Sequence, residues 1–403
     1  MNACTDIGAR PPVAPLRHVI SGATGFVGAA LLLELLEHTA DNFLCIVRAA
    51  DDAAARARIH ALLQEVGRMY ECAPQALAQI ATRVDARAGD VNLPLCGLDA
   101  ANLPAADVFW HAAASLKYED RYAREIMQTN VSGTRHMLDL AQALGVRECN
   151  TISTCYVSGT TCGPIGESYA GQLEANNLYE KSKMEMEALL HAPLPFAVRI
   201  FRPSIVIGHS RTLAAMNFSG MYGFMRQLHA FHRLMQRTQP GLLEREPLRL
   251  RVSAGLRLDL VAVDQVAQRI RRLWQATDVR GAQAAQIGQP LCFHINNPTP
   301  PLLDDVIRIV FETCRMPPPL MLRSAAQHQE MQWLDEKFNS RISFYRAQFY
   351  QDKRFLRNRS EALIGPDEAA PHVLDDAKLR AYCAWYLQVL EAELAAQNRP
   401  AQR

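Results

Sequence analysis

The stretch HVISGATGFVGAALLLELLEH, residues 18–38, constrains this chain more than any other. It reads as a short apolar strand, a loop with glycines at 22, 25 and 28, and an apolar helix. Glycines are needed in such a loop for three steric reasons. The turn is tight, the backbone must approach what it wraps, and the helix must pack closely on the strand. The helix amino terminus then offers unpaired N–H groups and a positive dipole end to a phosphate. A glycine triplet alone marks no more than a turn in an α/β protein. With the strand before it and the helix after it, at the first strand of the chain, it reads as a dinucleotide-binding loop. Gly22, Thr24, Gly25, Phe26, Val27 and Gly28 are the residues it places against the cofactor.

The chain continues in the rhythm this start demands. Candidate strands are Arg17–Ser21, Phe43–Val47, Thr82–Ala86, Asp107–His111, Asn150–Ser153 and Phe196–Phe201, with amphipathic stretches such as VSGTRHMLDLAQALG between them. Strands alternating with helices imply a parallel sheet covered on both faces and wound right-handedly. The expectation is therefore an α/β fold, a Rossmann doubly wound parallel sheet with a smaller, mostly helical substrate-binding domain. Residues 1–205 are assigned to the cofactor domain, which resumes at 256–300 through the strands in LDLVAVDQVA and CFHINNP. Residues 206–255 and 301–403 form the substrate or lid region, in which 212–236, rich in Met, Phe and His, reads as one or two helices.

Composition excludes several classes. At 403 residues and 49% hydrophobic, the chain can bury a sizeable core. A net charge of +2 without a basic tail points away from nucleic acid. No run of about 18 apolar residues exists, so no membrane span is expected. The first fifteen residues, MNACTDIGARPPVAP, are polar and proline-rich, unlike a signal peptide. None of the ten cysteines forms a C-x-x-C pair, so no metal site is expected and a reducing cytoplasm is the simplest setting.

Further positions suit a bound dinucleotide. The second strand ends in Arg48, where an acidic residue would take a ribose hydroxyl; an arginine suits the 2′-phosphate of NADP, so NADPH is expected over NADH. Arg56 and Arg58 stand close enough in sequence to assist. Asp90, after the third strand, is expected to hydrogen-bond the adenine amino group, with Val91 beside it on the cofactor. His111, Ala112 and Ala113, after the fourth, are small enough beyond the histidine for the backbone to lie on the cofactor. Taken singly, each of these is ordinary structure.

Tyr179 and Lys183 stand four apart and share one face of a helix. A phenol is a poor acid–base group at its ordinary pKa of about 10. A nearby ammonium lowers that value, and the pair can then protonate a carbonyl oxygen while hydride reaches the carbon. Chance produces this spacing on many helices; position strengthens it. ISTCYVSG, residues 152–159, ends the fifth strand, where a doubly wound sheet opens its crevice. Thr154 or Ser153 supplies a hydroxyl there, and Ser153 is equally readable as a buried strand-end hydroxyl bonded to backbone.

Together these residues resemble the extended short-chain dehydrogenase/reductase family. The likeness covers residues 17–300 in order and adds Asn130 in TNVSGT and the FRPSIVIG segment, 201–208. It implies Thr154, Tyr179 and Lys183 as the catalytic set, and Pro203 and Ile205 beside the nicotinamide. VRA at 47–49, STCYVSG, NNLYEKSKMEME and FHINNP are most similar to the fatty acyl-CoA reductase and thioester reductase branch, which reduces acyl thioesters with NADPH to aldehydes or alcohols. Ser21 departs from the threonine usual before the loop.

The rival expectations are a sugar-nucleotide epimerase or dehydratase that retains NAD, a ketone or aldehyde reductase acting on a lipophilic metabolite, and a protein that only senses NADP. The last commonly loses the tyrosine and lysine that are present here. The stretch SFYRAQFYQDKRFLRNRS, residues 343–360, is suited to an acyl carrier protein or a nucleotide-tailed thioester, but is read first as a solvated helix with its aromatic residues inward. Dimerisation through a helix pair is expected by analogy only.

Overall fold

The computed structural model describes residues 14–169, 171, 173–277, 289–329, 331–366 and 373–397. The amino-terminal stretch through residue 13, including Cys4, lies outside the described residues.

Strands in chain order are β1 (Arg17–Ser21), β2 (Asn42–Val47), β3 (Val84–Ala88), β4 (Val108–His111), β5 (Glu148–Ile152), β6 (Gly163–Ile165), β7 (Ala197–Pro203), β8 (Ile205–Ile207), β9 (Arg249–Arg251), β10 (Leu260–Ala262), β11 (Leu291–Ile295), β12 (Leu320–Leu322) and β13 (Lys353–Phe355). Seven form one sheet in the order β11-β7-β5-β4-β1-β2-β3, and every pairing in it is parallel. The strand order reverses beside β1, which makes the crevice above β1 and β4 the switch point of a doubly wound sheet.

Alternation along each strand explains the layering. Ile20, Cys45, Trp110, Phe201 and Phe293 face one side, where the helices Phe26–His38 and Val263–Ala276 cover them with Leu31, Leu32, Leu35, Ile270 and Trp274. Their neighbours Val19, Leu44, Phe109, Ile200 and Cys292 face the other side, under Met137 and Leu140 of Gly133–Ala143 and Met186 and Leu190 of Leu178–Leu190. A separate core joins Met221–Thr238, Leu303–Thr313 and Asp376–Gln397 through Tyr222, Leu228, Phe231, Val310, Phe338, Tyr382 and Tyr386. Three short parallel pairs, β8 with β10, β9 with β12 and β6 with β13, lie outside the large sheet. No helix of the described residues is long and apolar enough to cross a membrane.

Four elements differ from the sequence expectation by more than one residue. β3 starts at Val84 because Pro74–Ala81 is a helix, with Thr82 closing it through its bond to the Gln79 carbonyl. β5 starts at Glu148, whose buried carboxylate accepts from Arg199 and Trp274, so a charged residue opens a core strand. β7 runs on to Pro203, carrying the buried Arg202 paired with Glu187. The 212–236 stretch becomes one helix, Met221–Thr238, preceded by non-helical chain.

Candidate active site

The glycine loop has the geometry its sequence requires. Gly22 holds φ +79°, a left-handed conformation that side chains rarely adopt. A Cβ there would lie 2.3 Å from the Ala113 nitrogen and 2.4 Å from the Ala112 carbonyl carbon. The small HAAA segment thus packs backbone to backbone on the loop. A Cβ on Gly28 would lie 2.1 Å from the Gly22 oxygen. Gly25 N–H donates to the Gly22 carbonyl at 2.9 Å and closes the turn. The helix Phe26–His38 begins without a side-chain cap and without an acidic residue in its first turn, so its amino end is left to an anion. Thr24, Phe26 and Val27 are half-buried around it.

Arg48 is exposed at the end of β2, and the Arg58 guanidinium donates to its carbonyl at 2.6 Å, bringing a second cation alongside. Arg56 pairs with Asp85 instead. One Asp90 oxygen accepts from Asn92 N–H, forming a local turn, and Val91 is buried beside it. The His111 imidazole is fully buried, with Nδ1 2.7 Å from Ser21 Oγ and Nε2 3.1 Å from Thr134 Oγ1. Thr134 donates onward to the Asn130 carbonyl, so Nε2 carries the proton and Nδ1 accepts from Ser21. Burial, then the Lys183 charge, push its pKa down to about 3, so this ring stays neutral.

The strand-end turn and the helix Leu178–Leu190 bring the hydroxyl groups together. Asn177 starts this helix by accepting from Glu180 N–H at 2.9 Å. Thr154 Oγ1 donates to the Pro203 carbonyl at 3.4 Å and lies close to the Tyr179 phenol. Burial and the adjacent Glu180 raise the pKa of that phenol, and the Thr154 contact opposes them, so Tyr179 holds its proton. Lys183 is buried, and its ammonium donates to the Ile152 carbonyl at 2.9 Å, at the carboxyl end of β5. Burial brings its pKa down to about 8. The expected lowering of the Tyr179 pKa by Lys183 is not what this geometry gives: the ammonium is committed to Ile152, while burial and Glu180 govern the phenol.

Ser153 is buried with no hydrogen-bond partner for its hydroxyl, against the sequence expectation of a backbone bond. Pro203 ends β7, with its carbonyl facing Thr154 Oγ1, and Ile205 opens β8. A turn of π-helix, Gln128–Ser132, carries Asn130. Its amide accepts from Ser115 N–H at 2.7 Å and donates to the Ser115 carbonyl and to Ser182 Oγ, fastening the loop after β4 to the tyrosine helix. Asn176 and Glu180 were missed at the sequence level. Both Asn176 N–H and Nδ2 donate to Glu180 Oε2, at 2.9 and 2.8 Å. A buried carboxylate beside the tyrosine is a signal that YEKSK contained and spacing rules did not use. In the 343–360 segment Phe349 and Phe355 are buried while Arg346 and Arg354 are exposed.

A family model for NAD-binding proteins described as male sterility protein matches residues 20–270. A linear gramicidin synthase of Brevibacillus parabrevis is 25% identical over 307 residues, 72% of this chain and 5% of that protein. The chain therefore spans only a small part of this relative. Among solved structures, the terminal R domain from the myxalamid PKS-NRPS biosynthetic pathway superposes with a TM-score of 0.68 at 23% identity, covering 95% of this chain and 94% of that one. A thiolation-reductase di-domain from an archaeal non-ribosomal peptide synthetase gives 0.64 at 16% identity, over 93% and 91%. UDP-galactose 4-epimerase gives 0.57 at 16% identity, over 93% and 100%. At these identities the structural likeness establishes the fold.

Proposed function

The chain belongs to the family described as male sterility protein, within the extended short-chain dehydrogenases/reductases, and is an NAD(P)-dependent oxidoreductase; from this premise we propose that it reduces an acyl thioester with NADPH. The observation that carries the reading is that Thr154, beside the Tyr179 phenol, follows β5 and Lys183 donates to the Ile152 carbonyl at its carboxyl end, with β4 between β5 and the strand that leads into the glycine loop. A dinucleotide fits the residues present. The Gly22 cradle is one that a Cβ would fill, and the uncapped helix start accepts phosphate. Arg48, with Arg58 beside it, is assigned to the 2′-phosphate, Asp90 and Val91 to the adenine side, and Lys183 to the nicotinamide ribose.

When bound, the nicotinamide cofactor supplies hydride. The protein supplies the rest. Thr154 orients the substrate carbonyl oxygen, and Tyr179 Oη donates its proton to that oxygen, a role for which a phenol that keeps its proton is suited. With a thioester the same two hydroxyls stabilise the hemithioacetal oxyanion. The core formed by residues 207–260 and 303–390 is assigned to the substrate side. Solved structures that are reductase or thiolation-reductase domains favour a carrier-bound thioester over a free ketone.

The test is NADPH consumption by the purified chain with acyl-CoAs, pantetheine thioesters, aldehydes and ketones. Oxidation of NADPH by thioesters, faster than of NADH, is the expected result. Turnover with aldehydes or ketones alone overturns the thioester reading. No net consumption, with nicotinamide retained by the purified protein, returns the epimerase reading.

A further inference from the structure

Lys353 is far from the glycine loop and from Tyr179 in sequence, yet its side chain enters the turn that follows Thr154. The ammonium donates to Ser158 Oγ at 3.2 Å, to the Gly159 carbonyl at 2.5 Å and to the Thr161 carbonyl at 2.8 Å. Three acceptors use all three of its N–H groups. The strand it opens, β13, runs parallel to β6 with Lys353 opposite Gly163 and Phe355 opposite Ile165. Gly163 N–H donates to the Asp352 carbonyl at 2.7 Å, and Leu356 N–H to the Ile165 carbonyl at 2.8 Å.

Two residues earlier, Gln351 Nε2 donates to Asn176 Oδ1 at 2.7 Å, and Asn176 Nδ2, whose two hydrogens serve nearer acceptors, lies 3.3 Å from Gln351 Oε1. Asn176 is also the residue that holds Glu180 and donates to the Gly159 carbonyl at 2.9 Å. Gly159 presses on the same segment: a Cβ there would lie 2.0 Å from the Glu174 oxygen. A closed circuit therefore runs from Lys353 to the Gly159 carbonyl, to Asn176, to Glu180 on the tyrosine helix. The Lys353 charge also offsets that of Glu180, the carboxylate adjacent to Tyr179.

We propose that Lys353, supported by Gln351, is a positioning residue that sets the turn carrying Thr154 against the helix carrying Tyr179. It acts through Gly159 and Asn176 and touches none of the reacting groups. This rests on the reductase reading above. Removing the ammonium takes from Gly159, which keeps its bond from Asn176, and from the exposed Thr161 the donor that ties the two carbonyls together, so the turn loses its tie to β13. A shift of about 1 Å in a hydroxyl pair is enough to lower turnover about 100-fold.

The experiment compares the wild-type chain with Lys353→Met, Lys353→Arg and Gln351→Leu. Thermal midpoint, NADPH affinity by fluorescence, and kcat and KM with an acyl-pantetheine thioester are measured for each. Lys353→Met is expected to lose about 10- to 100-fold in kcat with NADPH affinity retained within about twofold. Lys353→Arg, which keeps several donors, is expected to recover most of it. Gln351→Leu, which removes only the amide pair and serves if Lys353→Met does not fold, is expected to lose about 2- to 10-fold. Unchanged kcat in the variants overturns the proposal. So does a loss that tracks thermal midpoint and NADPH affinity together, because that is a general structural effect. Hydrogen exchange separates this test from the reductase reading. Peptides covering 155–161 and 174–182 are expected to exchange faster in Lys353→Met (or Gln351→Leu) and β2 peptides to stay unchanged, whatever substrate the wild-type chain accepts. Unchanged exchange at 155–161 overturns the positioning role even if no carbonyl compound is reduced.

Discussion

Alanine at Gly22 tests whether the close approach of two backbones, and not glycine's flexibility, builds the cofactor cradle. Two costs add. The first is the left-handed conformation at φ +79°, about 1–2 kcal/mol for a side-chain-bearing residue. The second is overlap with the Ala112–Ala113 peptide, 2.3–2.4 Å from the new Cβ, where the neighbours are backbone and cannot rotate away. Overpacking of this kind costs about 1–3 kcal/mol, so the sum is about 2–5 kcal/mol. Two further alanines separate the terms. Gly145 has φ +67° with nothing within 4 Å of a Cβ, so Gly145→Ala carries only the first cost. Gly25 has φ −87° and a Cβ there would lie 3.3 Å from the Gly22 oxygen, so Gly25→Ala costs below about 1 kcal/mol. Urea unfolding ranks the three, and NADPH titration reads the cradle directly. Gly22→Ala is expected to be the least stable and to lose about tenfold or more in affinity, equivalent to about 1.4 kcal/mol, while Gly145→Ala binds NADPH normally. Equal unfolding midpoints for Gly22→Ala and Gly145→Ala, with normal binding in both, would refute the reasoning.

Other consequences of the site are open to measurement. Tyr179→Phe is expected to lower turnover by about 10²- to 10⁴-fold, the usual contribution of a positioned acid, with NADPH affinity nearly intact; a variant retaining most of its turnover shows that another group donates the proton. Arg48→Ala is expected to weaken NADPH by about tenfold or more and spare NADH, and equal losses for both cofactors would remove the 2′-phosphate assignment. The Lys183 pKa of about 8 lies below the ordinary lysine value of about 10.4. Its ammonium is thus lost as pH rises through 8, and kcat/KM is expected to fall on that alkaline limb; a profile flat to pH 10 contradicts a required ammonium. For stability the sign is opposite. The cost of holding this charge in the fold is present below pH 8 and fades between pH 8 and the unfolded value, so that contribution rises with pH over this window.

The large sheet was legible because its signals are local. Glycines at 22 and 28 are steric necessities, and apolar strands such as NFLCIV are buried on both faces. Glu148 hid the start of β5, because a carboxylate satisfied by Arg199 and Trp274 looks polar in sequence and behaves as core. Arg202 hid the end of β7 in the same way, through Glu187. Tyr179 and a hydroxyl at 153 or 154 could be proposed because helix spacing and strand-end position are one-dimensional properties, and the choice of Thr154 comes from the family resemblance. Glu180, Asn176 and Lys353 could not. Their roles come from contacts such as Lys353 with Gly159, which no periodicity encodes. β6 and β13, three residues each, are too short for any alternation to register.

The pairing of β6 with β13 also sets an order of events during synthesis. The glycine loop, Thr154 and Tyr179 leave the ribosome before β13, and their large sheet is complete once β11 has emerged. β6 finds its only partner strand among the described residues after Phe355 has been made. At about 5–20 residues per second, the interval between Ile165 and Phe355 is about 10–40 s. For the last part of it, from Ile295 to Phe355, about 3–12 s at the same rate, the chain owns a cofactor cradle and a proton donor but lacks the strand that braces the turn between them. A nascent chain would hold a nucleotide cradle before the turn after Thr154 is braced.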